Sequence, residues 1–257
     1  MSRKVLTTPY IVWGAAFIIL PLFMVLYYGC TGSDGSFTLS NITAMADSVH
    51  YKAFWNSVWI AMASTMICLV ISYPLAYILS KGKHRGSGVV IMLFVLPMWI
   101  NFLIRTLSTK AIFLALDIDL GMGTVLFGMV YNYLPYMILP LHTTLVSIDH
   151  SYIEAAEDLG ADKLTVLTKT VIPLSVPGIM SGITMTFIPA ISTFAISEIL
   201  SGSKIYLFGD AINMHFSKTI NSFGVGSVMS LVMLVIVIIA NVVANLTSKE
   251  EEVKSVL

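Results

Sequence analysis

Six apolar stretches of about 20 residues, separated by shorter polar segments, restrict the fold of this chain more than any other feature. They lie at about 10–28, 55–79, 89–107, 124–148, 176–200 and 224–246. A helix of roughly 20 residues crosses the hydrocarbon core of a bilayer and satisfies its own backbone hydrogen bonds there. Only 11% of the residues are charged and 57% are hydrophobic, too few polar groups to cover a soluble globule. The sequence therefore predicts an all-α, polytopic membrane protein with six transmembrane helices in a single domain, 1–257.

The basic residues indicate how the spans are oriented. The loop 80–88 contains three basic residues and no acidic one, and cytoplasmic loops are enriched in Lys and Arg. Six spans place both termini on one side, and we expect that side to be the cytoplasm. It then holds nine of the 14 basic residues: Arg3, Lys4, Lys81, Lys83, Arg85, Lys163, Lys169, Lys249 and Lys254. The 14 basic and 14 acidic residues cancel, so no net charge would attract nucleic acid.

The longest polar interruption, 149–175, predicts two short helices on the cytoplasmic side. Ser151 and Glu154 have the spacing of a capping box, and Gly160 is a residue type that commonly ends a helix. Four residues at positions i, i+3, i+4 and i+7 would form one narrow face: Tyr152, Ala155, Ala156 and Leu159. A helix this short is not stable alone in water, so this face predicts a docking surface.

The second half of the interruption repeats this helical spacing. The repeating positions are Leu164, Leu167, Thr168 and Val171. Pro173 and the Pro177-Gly178 pair are expected to break the chain before the next span.

Catalytic motifs are missing from the sequence. There is no glycine-rich loop ending in Lys-Ser or Lys-Thr and no paired-His zinc motif, and the five histidines are scattered. We therefore expect no catalytic residue, no metal site and no cofactor in this chain. If this protein performs work, something other than this chain would supply the energy.

The interruption resembles a known cytoplasmic loop. Glu154-Ala155-Ala156, three further residues and Gly160, and then Ile172-Pro173 before a span, resemble the EAA loop of permease subunits of binding-protein-dependent ABC importers. That family pattern has isoleucine and leucine before the proline where this chain has Thr170 and Ile172, which is expected to alter packing without abolishing docking. The resemblance implies a type I ABC importer permease fold, with an ATPase contact made by Tyr152, Glu154, Ala155, Ala156, Asp158, Leu159 and Gly160.

Further segments are similar to the spermidine/putrescine subfamily, and within it to the first of its two permease subunits. They are 72–77 (Ser-Tyr-Pro-Leu-Ala-Tyr), 96–105 with its Leu-Pro, Trp, Asn and Leu-Ile-Arg, and 154–161. The resemblance implies a heterodimer with a second permease chain in a bacterial inner membrane. It also implies two ATPase subunits that bind ATP and Mg, an external substrate-binding protein, and a polyamine as cargo.

Glu198 is the acidic residue that the sequence places within or at the edge of a span, where an ionisable group is costly unless it has a function. A polyamine needs carboxylates for its ammonium groups and aromatic faces for cation–π contacts. The candidate pathway residues are Trp99, Asn101, Tyr131, Tyr133 and Glu198. Alternatives remain open: an interfacial position in water for Glu198, interfacial anchoring for the aromatic residues, and cross-helix hydrogen bonding for Asn101.

Arg105 lies near the expected external edge of its span. It could pair with Glu198 or repel cations from a closed gate, but snorkelling to the interface is the simpler expectation.

Other functions remain open on the sequence alone. The same machinery could carry ferric iron, thiamine or a phosphonate, and an anionic cargo would not depend on Glu198. An intramembrane enzyme would be active without an ATPase. In a scaffold without a transport path, substitutions at Glu198 and Trp99 would change only stability.

Overall fold

The computed structural model describes residues 3–32, 34–81, 87–217 and 223–256. The α-helices are α1 Arg3–Gly14, α2 Leu20–Gly29, α3 Ser40–Met45, α4 Ser48–Lys81, α5 Ser87–Val95, α6 Phe102–Ala115, α7 Met122–Ser147, α8 His150–Asp158, α9 Lys163–Val166, α10 Ile172–Ser192, α11 Ala195–Leu200, α12 Phe208–Ser217 and α13 Phe223–Val256. Within the described ranges the one β-type pairing is an isolated bridge between Thr31 and Phe37. The expected all-α class is confirmed.

Helices α4, α7 and α10 pack against one another and form the centre of the bundle. Small residues allow the close approach of α7 and α10. A Cβ added at Gly182 would lie 2.6 Å from the Met137 sulfur, and one added at Gly178 would lie 2.6 Å from Thr144 Oγ1. Small residues at such interfaces are typical of membrane helices, which associate by close packing.

Helix α13 packs on α10, and α2 packs on α13. In the stretch Pro9–Gly29 an 18-residue window with a mean hydropathy of 2.2 has no residue buried inside the chain. Large apolar side chains such as Phe17, Phe23 and Ile238 are exposed on the outer surfaces. Such surfaces suit contact with lipid or with another membrane subunit.

The third apolar stretch, expected to form one span over about 89–107, is divided in the structure. The structure has two helices there, Gly88–Trp99 and Phe102–Ala115, bent by 95°. Pro97 lies in the 3-10 turn that ends the first helix. Asn101 then starts the second helix, because its side-chain oxygen accepts hydrogen bonds from Leu103 N and Ile104 N. Within the described residues five helices are long and apolar enough to cross a membrane, and the number is six if the bent pair counts as one span.

The fifth stretch also differs from expectation at both ends. Pro173 and Pro177 do not break the chain, because a π-helical turn at Leu167–Val171 joins α9 to α10 without interruption. Pro173 lies in the first turn of α10, where a missing N–H costs little. At the other end the expected span to 200 stops at Ser192, Thr193 is extended, and α11 is a separate short helix.

Helix α12 packs against the break in the chain at Thr193, directly after α10. Gly209 approaches it so closely that an added Cβ would lie 2.4 Å from the carbonyl oxygen of Thr193. The hydroxyl of Ser57 on α4 also accepts a hydrogen bond from Phe208 N, at 2.8 Å. Helix α12 is therefore held against both α4 and the end of α10.

We expect Gly209→Ala to destabilise the fold, because the obstructing atoms belong to the backbone and cannot move aside easily. Overpacking of this kind typically costs about 1–3 kcal/mol of unfolding free energy. The matched control is Gly123→Ala, a helical position whose added Cβ would meet nothing within 4 Å. Thermal unfolding of the two purified variants in detergent would measure the difference. Equal midpoints would contradict the close approach of α12 to the break.

Candidate functional site

Helix α8 forms the candidate coupling surface, and its first turn differs from the expected capping box. The helix starts at His150, and the side chain of Asp149 is the cap, accepting a hydrogen bond from Ser151 N at 2.9 Å. That bond lowers the pKa of Asp149 below its usual value. Glu154 instead contacts the ring of His150, one turn earlier, at 3.1 Å. The carboxylate of Asp149 precedes the helix directly and so caps it in place of Ser151.

The end of α8 is confirmed at Gly160, which has a φ of +84°. Gly160 N donates to the carbonyl of Glu157 at 2.9 Å, and Ala161 N donates to the carbonyl of Ala156 at 3.1 Å. This pair of bonds is the Schellman motif, in which glycine takes the left-handed conformation at no steric cost. Asp162 then caps α9 by accepting from Thr165 N at 3.2 Å. The start of α8 and the turn between α8 and α9 are thus fixed by local hydrogen bonds.

The predicted docking face of α8 is divided by the tertiary structure. Ala156 turns inward and packs with the buried Ile153 against Val166 and Val171. Ile153 was missed by the sequence reasoning, although its spacing of three residues from Ala156 was a usable signal. The other members stay exposed, Tyr152 at 57% and Leu159 at 89%. One side of α8 is therefore attached to the bundle, and the opposite side exposes apolar groups.

The acidic members of this surface are also exposed. Glu154, Asp158 and the small Ala155 lie on the accessible side of α8. The surface can therefore combine apolar contact with carboxylates that pair with basic groups of a partner.

The candidate pathway residues are not gathered in one cavity. Trp99 is 81% exposed at the bend between α5 and α6. Asn101 uses its side-chain oxygen to cap α6. Tyr133 is half-buried, and its hydroxyl donates to the carbonyl of Pro189 at 3.2 Å. These contacts are structural for Asn101 and Tyr133.

Arg105 does not snorkel, so that expectation is wrong. Its side chain is buried and donates from Nε to Asn132 Oδ1 at 2.9 Å and from Nη1 to the carbonyl of Pro97 at 2.6 Å. A second nitrogen, Nη2, also donates to Asn132 Oδ1. The ring of Tyr131 lies 5.2 Å from the guanidinium carbon, within cation–π range. Within the described part of the chain, the one ion pair is His150–Glu154, so Arg105 does not pair with Glu198.

Glu198 lies in a cavity of about 390 Å³ between α11 and α12. This cavity is at the opposite end of the bundle from α8, because α7 and α10 connect the two ends. The residues that line it are Glu198, Ser201, Ser203, Ile205, Tyr206, Asp210, Asn213, Met214 and Ser217. Among these described lining residues there are two carboxylates and no basic side chain. The cavity suits a cation with hydrogen-bond donors.

The second carboxylate, Asp210, was missed because it lies in a polar segment outside the apolar stretches. Asp210 Oδ1 accepts from Ser197 Oγ at 2.9 Å, and Oδ2 accepts from Leu207 N at 2.8 Å. Burial, with a smaller contribution from the charge of Glu198, raises the pKa of Asp210 to about 6. Each oxygen keeps acceptor capacity after these bonds. Its position in the first turn of a helix after a polar loop was the available sequence signal.

Groups of three or more His, Cys, Asp or Glu that could hold a metal ion do not occur within the described residues.

The chain was compared with known proteins. Residues 57–250 match the family model described as "binding-protein-dependent transport system inner membrane component". The chain is 32% identical over 247 residues to the spermidine/putrescine transport system permease protein PotB of Escherichia coli (strain K12), covering 87% of this chain and 90% of the relative. It is 33% identical over 227 residues to the PotB of Haemophilus influenzae, covering 79% of each.

Solved structures show the same fold at low sequence identity. A bacterial ABC transporter that imports the acidic polysaccharide alginate superimposes with a TM-score of 0.75 at 13% identity, covering 96% of this chain and 94% of that one. The MetNI methionine ABC transporter, in an inward-facing conformation, gives 0.65 at 14% identity, covering 80% of this chain and 99% of that one. At these identities the likeness concerns architecture alone.

Proposed function

This chain belongs to the family of binding-protein-dependent transport system inner membrane components, and from that premise we propose that it is the permease subunit of an ATP-driven polyamine importer. The cargo would be spermidine, putrescine or a close relative. The observation that carries the proposal is the 32% identity that extends over 90% of the E. coli permease. Ferric iron, thiamine or a phosphonate are less well supported, since the described residues that line the cavity at Glu198 include two carboxylates and no basic side chain.

The proposed assembly contains a second permease chain, two ATPase subunits and an external binding protein. ATP and Mg would be bound by the ATPase subunits, and this chain would perform no catalysis. It would cross the bacterial inner membrane several times with both termini in the cytoplasm. This orientation would place α8 beside the ATPase and the Glu198 cavity beside the binding protein.

A continuous helical segment connects these two ends of the bundle. The exposed side of α8 would dock on the ATPase, and its buried side contacts Val166 and Val171. From Lys163 the chain is helical without interruption to Ser192. A rigid-body shift of the ATPase would therefore be transmitted along α10 to the break at Thr193, where α11 and α12 are attached.

We expect cells that carry this chain with its partner subunits to accumulate radiolabelled spermidine, and cells lacking only this chain to lose that uptake. Unlabelled putrescine should compete with the label, and thiamine, ferric citrate and a phosphonate should not. Membrane abundance of the partner subunits is the control. If the chain restored uptake of one of the other compounds and not of spermidine, the polyamine cargo would be wrong and the permease function would stand.

A further inference from the structure

We propose that the cavity between α11 and α12 binds one primary ammonium group of the polyamine, with Asp210, Glu198 and Ser201 as its ligands. This inference rests on the proposed function and adds the position and the ligands of a cargo site. It assigns a role to two residues, Asp210 and Ser201, that were not among the sequence candidates.

An alkylammonium has three donors and no acceptor, so its site must supply acceptors. The two carboxylates come from different helices, Glu198 from α11 and Asp210 from α12. Asp210 is already held in place by Ser197 Oγ and Leu207 N. Because this acceptor is pre-organised, little ordering would accompany the arrival of the cation.

Ser201 provides an observation independent of the acidic residues. It lines the cavity, it is 1% exposed, and its hydroxyl oxygen has no hydrogen-bond partner among the described residues. A buried hydroxyl without a partner is unfavourable, and natural structures rarely leave one unless something else satisfies it. An ammonium donor in the cavity would provide the missing partner.

The remaining walls fit the rest of a polyamine. Tyr206 and Met214 contact each other through the hydroxyl and the sulfur, at 3.6 Å, and form an apolar side. An aromatic face and a thioether suit methylene groups and also an adjacent cation. Asn213 adds a side-chain carbonyl that can accept from a secondary amine. A volume of about 390 Å³ can hold one end of an extended polyamine, since ligand sites start at roughly 300 Å³.

The surroundings of Asp210 suit a cation. Burial raises the pKa of this carboxyl to about 6. An ammonium group close to it would favour the ionised form and offset the cost of burial. An anion would instead meet two negative charges.

Binding at this site would also bear on the conformational cycle. The cargo would bridge α11, which follows the break at Thr193, and α12, which is held against that break at Gly209. A ligand that bonds both helices favours the arrangement in which they are close together. Movement of α10 could then release the cargo by separating the two carboxylates.

The test is the concentration dependence of labelled spermidine uptake by the complete transporter in cells, with the abundance of each variant in the membrane measured in parallel. We expect Glu198→Gln and Asp210→Asn each to raise the KM about tenfold, the size of effect typical of a lost charge-assisted hydrogen bond. Glu198→Asp, which keeps the charge, should stay within about threefold of the native KM. The matched control is Asp119→Asn, which removes an exposed carboxylate that does not line the cavity.

Glu198→Gln keeps the inference testable if Asp210→Asn fails to fold, because Asp210 also supports the loop before α12. Native spermidine uptake together with an unchanged KM in Glu198→Gln would overturn the ammonium site and leave the polyamine permease intact. If Asp119→Asn also raised the KM about tenfold, the effect would be due to surface charge in general. The proposed site would then be wrong as well. Absence of spermidine uptake by the native transporter would remove the proposed cargo, and the ammonium site with it.

Discussion

Replacing Leu159 by aspartate is expected to reduce spermidine uptake roughly 30-fold or more, without changing the amount of this chain in the membrane. Leu159 is 89% exposed at the end of α8, so a charge there costs the isolated chain almost nothing. In the proposed complex the same side chain is buried against the ATPase. A buried interface anchor typically contributes about 2 kcal/mol or more, and an unpaired charge in its place adds a desolvation cost.

The matched control is Leu159→Met, which keeps an apolar side chain of similar volume and should retain most of the uptake. Co-purification of the ATPase with the tagged permease would locate the defect, since we expect Leu159→Asp to lose the ATPase and Leu159→Met to keep it. Full ATPase recovery with Leu159→Asp would mean that this end of α8 is not in the contact. The coupling surface would then have to be sought elsewhere on the cytoplasmic side.

Asn132→Leu is expected to give the largest loss of stability of the substitutions considered. The side chain of Arg105 is buried, and the Asn132 carbonyl oxygen accepts hydrogen bonds from two of its nitrogens. Leucine cannot accept them, so the guanidinium would stay buried with the Pro97 carbonyl as its remaining hydrogen-bond acceptor among the described residues. Leaving a buried polar group without its hydrogen-bond partner typically costs about 1–3 kcal/mol, and more for a charged group such as this guanidinium. Thermal unfolding of the purified chain in detergent should show this as a clearly lower midpoint.

A double variant separates the loss of the hydrogen bonds from the loss of packing. In Arg105→Met with Asn132→Leu, no charge remains to be satisfied, and apolar replacement of both partners is often close to neutral. The Pro97 carbonyl still accepts from Ile100 N, at 3.2 Å. We therefore expect the double variant to recover most of the midpoint. Equal losses in the single and double variants would show that the shape of Asn132, and not its pairing with Arg105, is what stabilises the bundle.

The segment 149–175, called the elbow here, shows which helix ends the local sequence pattern predicts correctly. Gly160 was expected to end a helix, and it does so with a positive φ and two Schellman hydrogen bonds. The start was assigned to the wrong residues, since Asp149 caps α8 in place of the Ser151–Glu154 pair. Both patterns were available in the sequence, and the choice between two adjacent caps depends on where the preceding helix α7 stops.

Sequence reasoning identified only one of the two carboxylates of the candidate cargo site. Glu198 stood out because an acidic residue close to an apolar stretch is rare and costly. Asp210 lies in a polar segment, where carboxylates are ordinary, and so gave no comparable signal. The break at Thr193 and the return of α12 place it across the cavity from Glu198. Likewise, the Arg105–Asn132 hydrogen bonds join α6 and α7. Sequence periodicity describes each helix by itself and does not predict contacts between them.

The sequence by itself determined the helical class, the apolar stretches, the elbow and its resemblance to a permease loop. These follow from hydropathy and from residues within a few positions of one another, where helix geometry and the bilayer leave few choices. Only the tertiary structure decided the 95° bend after Trp99, the attachment of α12 at Gly209, and the division of α8 into a buried and an exposed side. These depend on which surfaces meet across α4, α7 and α10, because close packing between distant segments has no fixed spacing along the chain.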